Sequence, residues 1–276
     1  GLAVPAGIIS TTGIAGLTLS GGHGYLSRKY GLTIDNLLEA DVVLADGSFV
    51  IASQDKNPEL LWALRGGGGN FGVVTSFLFQ LHPVKDVFAG PIAWDQKHAG
   101  SILRRYRECL PKAPEDLGLF VGLKKIPSSA PFPQEIWGKP ICLLMSCFNR
   151  TEADGKRALA PLLEGLPEPY FNWMGTMPYP AVQSMFDGLY PKGMQWYWRG
   201  DFVKTLPDAA IDAHLEQAAK TPSELSLMHL YPIDGAVQRK GKSDTAWNCR
   251  EATWSMVIAG IDPDPKKKGD VTQWTK

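Results

Sequence analysis

The chain has 276 residues, 44% hydrophobic and 20% charged, with 28 basic side chains balancing 28 acidic ones. This is ordinary globular composition, with enough apolar material for one large core or two smaller ones. Zero net charge, with Lys266, Lys267 and Lys268 as the one basic run, leaves nucleic acid no electrostatic footprint.

No apolar run approaches the roughly 20 residues that cross a bilayer, so a soluble, cytoplasmic protein without a membrane partner is expected. Cys109, Cys142, Cys147 and Cys249 show neither C-x-x-C nor zinc spacing, and no metal site is expected. Cys142 and Cys147, five apart in ICLLMSCF, fall on opposite faces of a strand and are not expected to pair. Both ends, GLAVPAG and QWTK, read as cut, so the chain is expected to be a fragment of a longer protein.

In chain order, the first informative stretch is residues 6–24, AGIISTTGIAGLTLSGGHG. Nineteen positions hold six glycines, five Ser/Thr and no Asp, Glu, Lys or Arg. Small residues expose main-chain N–H groups, which with hydroxyls can cradle an anion without a lysine. A packed turn between buried strands is the alternative reading. Next, VVLA and SFVIAS flank Asp46 and Gly47, a hairpin signal. NPELLWALR then predicts a helix capped at Asn57 with Pro58 at its first position.

The glycines that follow, Gly67, Gly69 and Gly72, match G-x-G-x-x-G, with Asp86 downstream. A dinucleotide turn of that type must follow a strand and open a helix. Here the order is helix, loop, strand, so the NAD reading fails. In the strand, Val73, Thr75, Phe77, Phe79 and Leu81 are expected on one face and Val74, Ser76, Leu78 and Gln80 on the other. The resulting α+β unit ends near Val84, too small and too open to be a complete domain.

Beyond Pro83, LGLFVGLKKI, PICLLMSCFN, MQWYWRGDFVKT, ELSLMHLYPI and ATWSMVIAG read as strands. Helices are predicted in HAGSILRRYRECL, in TEADGKRALAPLLEGL with Thr151 and Asp154 as its capping pair, and in LPDAAIDAHLEQAAKT with Pro207 in the first turn. The pattern implies an antiparallel sheet covered by helices on one face, its other face free to close over a ligand. Leu225, Leu227, His229 and Tyr231 share one face of their strand, and Gln195, Tyr197 and Arg199 oppose Met194, Trp196 and Trp198. Tyr197, His229 and Tyr231 are the pocket candidates, and Arg199 is expected to pair with Asp201. No hydrolytic motif such as G-x-S-x-G or H-E-x-x-H is present.

The segments GIAGLTLSGGHGYLSRKYGLTIDNLLEADVVLADG and NPELLWALRGGGGNFGVVTSFLFQLHPV resemble the berberine-bridge-enzyme-like flavoproteins of the vanillyl-alcohol-oxidase superfamily. The resemblance is dense over the first eighty-five residues and continues through WRGDF, MHLYPIDG and ATWSMVIAG. It implies an α+β fold: residues 1–85 form the C-terminal part of a PCMH-type FAD-binding domain, and residues 86–276 a substrate domain, incomplete at its C-terminus, with an antiparallel sheet covered by helices. The implied cofactor is FAD. It would lie along Ser10, Thr11, Thr12, Gly13, Gly16, Leu17, Thr18, Gly21, Gly22 and Gly24, with Asn70, Gly72, Val73 and Val74 toward its adenosine end.

The implied activity is that of an oxidase: hydride passes from a substrate C–H to flavin N5, and molecular oxygen reoxidises the cofactor. The partners would be a small-molecule substrate and oxygen. The alternative is a truncated or degenerate fragment without catalytic activity, serving as a binding module. Relatives with doubly attached flavin carry a cysteine where Ile9 stands, so no cysteinyl link is expected here. Ser20 replaces a usual glycine, and the flavin-linking histidine belongs to a loop N-terminal to this chain. His23 is therefore expected to be a packing residue.

Overall fold

Three β-branched and aromatic runs separated by turn signals build the first sheet of the computed structural model, which describes residues 1–276. The chain opens with β1 (Leu2–Ala3), the short helix α1 (Ile14–Leu19) and one turn of helix, α2 (Ser27–Tyr30). β2 (Leu37–Val43) and β3 (Phe49–Ser53) form the expected antiparallel hairpin. Its turn has three residues: the Gly47 amide donates to Leu44, the Leu44 amide donates to Ser48, and Gly47 sits at φ 82°. Only glycine takes that left-handed position cheaply. Gly47→Ala should therefore cost about 1–2 kcal/mol in a urea titration, although nothing lies within 4 Å of the added methyl. An unchanged midpoint would refute the strain argument.

Helix α3 (Pro58–Leu64) starts at Asn57 as expected, but Asn57 does not cap it with its side chain. Its backbone is left-handed, at φ 50°, and Nδ2 donates instead to the Ile51 carbonyl at 2.8 Å. The glycine-rich bend leads into β4 (Val73–Phe79), confirming helix, loop, strand, and β5 (His82–Pro83) returns to pair with β1. The simple alternation predicted along β4 is broken by a register shift where Ser76 faces Asp41 and Val74 faces Val42. Thr75 is the extra residue, and a one-residue bulge swaps the faces. Val74, Phe77 and Phe79 consequently share the core with Leu37, Ala40 and Leu64.

The remaining elements are β6 (Asp86–Asp95), α4 (Ala99–Cys109), β7 (Leu117–Lys125), β8 (Pro140–Phe148), α5 (Glu152–Leu163), β9 (Phe171–Asn172), β10 (Gly175–Pro178), α6 (Tyr179–Ser184), β11 (Gln195–Val203), α7 (Asp208–Ala218), β12 (Leu227–Pro232), β13 (Trp254–Asp262) and α8 (Lys268–Thr275). The strands make one eight-stranded sheet in the order β10-β6-β8-β7-β12-β13-β11, with β9 beside β6, every pair antiparallel. Helices α4, α5 and α7 cover one face. Ile102, Leu103, Tyr106, Leu159 and Ile211 pack there against Leu119, Val121, Leu144, Met228 and Leu230. Thr151 caps α5 through Asp154 as expected, whereas Pro207 is the residue before α7, with extended backbone. The four cysteines are free, and Cys142 and Cys147 lie on opposite faces of β8. Arg199 and Asp201 form no ion pair. They lie on the exposed part of β11, where the Asp201 carboxylate instead accepts from the Phe202 amide.

Two buried ion pairs tie the first eighty-five residues to the rest. Arg28 on α2 meets Asp234, just past β12, at 2.6 Å, and Arg250 grips Asp35 through both carboxylate oxygens at 2.7 and 2.8 Å. The exposed apolar side chains Leu38, Phe49, Val73 and Leu78 lie on the smaller sheet. No helix is long and apolar enough to cross a membrane.

Candidate functional site

The face of the large sheet away from the helices carries what helices do not cover. Strand parity puts Phe120, Gly122 and Lys124 of β7 on that side, since Leu119, Val121 and Leu123 point into the helical core. On β12 the same parity brings Leu227, His229 and Tyr231 together, while Met228 and Leu230 face the helices. On β11 it brings Trp196 and Trp198, which stack at 5.7 Å. These residues, with Leu143, Phe186, Tyr190 and Ile261, enclose a cavity of about 250 Å³ whose remaining wall is Ile8, Ile9, Thr11 and Thr12. The glycine-hydroxyl segment and the sheet thus meet at one aromatic-lined space.

Polar groups in the cavity are few. His229 Nδ1 and the Tyr231 hydroxyl are hydrogen-bonded, and the two rings meet edge to face. His23 lies 4.9 Å from the Tyr231 ring, with Nε2 3.3 Å from Ser255 Oγ. Burial holds the His23 imidazole down to about 4, and burial together with the Lys124 cation holds His229 down to about 3. Burial, with Tyr190 nearby, pushes the Tyr231 phenol well above its usual value. Both imidazoles and the phenol are therefore neutral at pH 7.

Tyr197 does not join them. It faces away from Trp196 and Trp198, toward α8, where its carbonyl accepts from Thr275 and Lys276 Nζ lies 5.9 Å from its ring.

The structure divides the glycine-hydroxyl segment in two. One part is open. Thr12, Gly13, Ile14, Ala15 and Gly16 are exposed, and no chain atom lies within 4 Å of where a Cβ on Gly13 or Gly16 would stand. The amides of residues 13–16 find no acceptor, the first intrahelical bonds starting with Leu17 to Gly13. The other part is already bonded or packed within the chain. The Ser10 amide and hydroxyl both donate to Asp187, and the buried Thr18 hydroxyl bonds back to Ile14. Gly21 and Gly22 accept from Ile34 and Thr33, the Gly24 amide donates to Ser27, and a Cβ on Gly24 would stand 1.8 Å from the Ala6 carbonyl oxygen. Leu17 is half-buried between these parts.

The second glycine cluster has a different occupation. Gly66 lies against Trp247, which leaves no room for a side chain, and the Gly68 amide donates to Leu19. Asn70 is tied to Gly67 at 2.9 Å, Gly72 packs on Val43, and Val73 is 68% exposed. None of Asn70, Gly72, Val73 and Val74 lines the cavity. No cluster of His, Cys, Asp and Glu suited to a metal ion is present.

An open, uncharged row of unbonded amides beside an aromatic-lined cavity could hold the diphosphate of a dinucleotide, with the cavity left for an apolar ring. The FAD binding domain family matches residues 1–53. An FAD-linked oxidoreductase of Dictyostelium discoideum is 34% identical over 281 residues, covering 100% of this chain and 58% of that protein. The (R)-6-hydroxynicotine oxidase of Paenarthrobacter nicotinovorans is 47% identical over 95 residues, 34% of this chain and 21% of the relative. The solved structure of berberine bridge enzyme from Eschscholzia californica superposes with a TM-score of 0.81 at 24% identity, covering 99% of this chain and 56% of that one. The chain thus spans under two thirds of these relatives' length.

Proposed function

We propose that this chain, whose sequence is similar to FAD-linked oxidoreductases, is a berberine-bridge-enzyme-like flavoprotein, that its cavity is the reaction site of an oxidase and that the segment at residues 11–16 holds the cofactor. FAD, when bound, supplies a two-electron acceptor that takes hydride from a substrate C–H and passes the electrons to molecular oxygen. The chain's own residues do the rest. Amides of residues 13–16 stabilise an anionic group without a counter-cation, and Ile8, Ile9, Thr11 and Thr12 form the wall on the cofactor's side.

Phe120, Trp196, Trp198 and Leu143 exclude water and hold a flat, largely apolar substrate. Tyr231 presents a hydroxyl hydrogen-bonded to His229 Nδ1. A neutral hydroxyl at this place can donate a hydrogen bond to a substrate oxygen. The observation that carries the reading is one of continuity: Thr11 and Thr12 line the cavity, and the unbonded amides begin at the next residue.

Gly16→Glu tests it. The new side chain enters open space, so the folded chain should lose no stability. A carboxylate beside a diphosphate should weaken FAD binding at least about tenfold. Absorbance of retained flavin and equilibrium dialysis against FAD are the readouts. Unchanged affinity in Gly16→Glu would remove the cofactor from this loop. Colourless, folded wild-type chain that ignores FAD would favour the binding-module reading instead.

A further inference from the structure

Lys124 is a buried cation without an anion. Its residue is 6% exposed, it makes no ion pair, and its one polar partner is the Tyr190 hydroxyl, 3.3 Å from Nζ. Nζ also lies 5.5 Å from the Tyr190 ring centroid, a contact that offsets part of the lost hydration. An ammonium removed from water and left unpaired normally costs several kcal/mol. Its neighbours on the same strand face, Phe120 and Gly122, carry no charge. The remaining polar groups of the cavity, Thr11, Thr12, Tyr190, His229 and Tyr231, are uncharged, so Lys124 sets its electrostatic sign.

The lysine also stands at a junction. Lys124, Leu143 and Phe186 line a second, adjoining apolar cavity of about 370 Å³, walled by Phe132, Phe171 and Trp173. Those three rings form a stack, with centroids 4.2 Å apart for Phe171 and Trp173 and 5.4 Å apart for Phe132 and Trp173. Aromatic walls therefore flank a single positive charge on both sides. Such a site selects flat apolar ligands, and among these it favours one carrying an anionic oxygen.

We propose that the substrate is an aromatic molecule bearing an acidic oxygen, carboxylate or phenolate, and that Lys124 pairs with that oxygen. This rests on the reading of the cavity as the substrate site. Lys124 is here a specificity-determining residue: it orients the ring and changes no bond.

Calorimetric titration of the full chain with benzoate and its uncharged counterpart benzamide, with and without saturating FAD, tests the pairing. Wild type should bind benzoate at least tenfold more tightly than benzamide. Lys124→Met and Lys124→Gln should bind the two equally while keeping affinity for benzamide, which reports an intact cavity. Equal affinities in wild type would overturn the proposal and require no variant to fold. So would variants that keep the benzoate preference, or that lose FAD while leaving the preference unchanged, since the lysine would then serve the cofactor. Failure of the chain to bind FAD, with the benzoate preference intact, would count against the flavoenzyme reading and leave the pairing standing.

Discussion

Replacing Arg28 with alanine is expected to lower the stability of the folded chain by about 3–5 kcal/mol, read as a shift in the urea or guanidinium midpoint at constant slope. The magnitude follows from what the guanidinium holds. Nε and one terminal nitrogen bind both oxygens of Asp234, at 2.6 and 3.1 Å. The two terminal nitrogens also donate to the carbonyls of Leu110, Ala113, Pro114 and Leu117. Removing the side chain leaves a carboxylate that is 9% exposed without its cation, and four carbonyls without this donor. Lysine restores the charge but not the planar fork, so Arg28→Lys should recover only part of the loss.

Arg239 provides the control. It pairs with Glu115, beside the same loop, but the two side chains are 59% and 39% exposed, and Arg239→Ala should cost no more than about 1 kcal/mol. An Arg28→Ala midpoint indistinguishable from that of Arg239→Ala would show that the two parts of the chain are not joined through this network.

This network marks where sequence reasoning stops. Strands β7, β8, β11, β12 and β13 were legible because apolar residues alternate or run unbroken between turns, and α4, α5 and α7 because theirs recur at helical spacing. β6 gave no such signal: in DVFAGPIAWD both faces are apolar, since Phe88, Ile92 and Trp94 enter the helical core while Val87 and Ala89 pack on the opposite side. Gly90 and Pro91 interrupt it further.

The glycine clusters show a different limit. Composition says that backbone approaches something closely but not what it approaches. Gly13 and Gly16 face open space, whereas Gly66 meets Trp247, remote in sequence. His229 and Tyr231 could be placed on one face from parity alone, and the fold keeps them there. Tyr197 failed as a pocket residue because parity on an edge strand does not say which face meets the cavity. Lys124 went unnoticed because LKK at a strand end looks like a solvated terminus. Its shared parity with Phe120 was the available signal.

The second large effect concerns pH. Stability should fall as pH drops from about 6.5 toward 4, and His23 and His229 should carry much of the fall. In the unfolded chain each imidazole takes up a proton near its ordinary value of 6.5. In the folded chain burial holds His23 neutral down to about 4, and burial with Lys124 holds His229 neutral down to about 3. Between those limits the unfolded state binds more protons, so stability rises with pH, by at most about 1.4 kcal/mol per pH unit for each ring.

Between pH 7.5 and 4.5 the two together could contribute up to about 5 kcal/mol. Some solvent contact on the cavity side makes that an upper bound. The groups around them set the sign: Tyr231, Ser255 and Phe120 offer no negative charge, and Lys124 adds a positive one. Paired carboxylates such as Asp208 also lose stability in acid, but identically in any histidine variant.

The comparison is therefore between wild type and a His23→Gln, His229→Asn double variant, in which Gln can still reach Ser255 and Asn can still accept from Tyr231. Urea midpoints measured across pH 7.5 to 4.5 should diverge, with the wild type steeper. Parallel profiles would mean that neither imidazole resists protonation in the folded chain, and the neutral His229 hydrogen-bonded to Tyr231 would have to be given up.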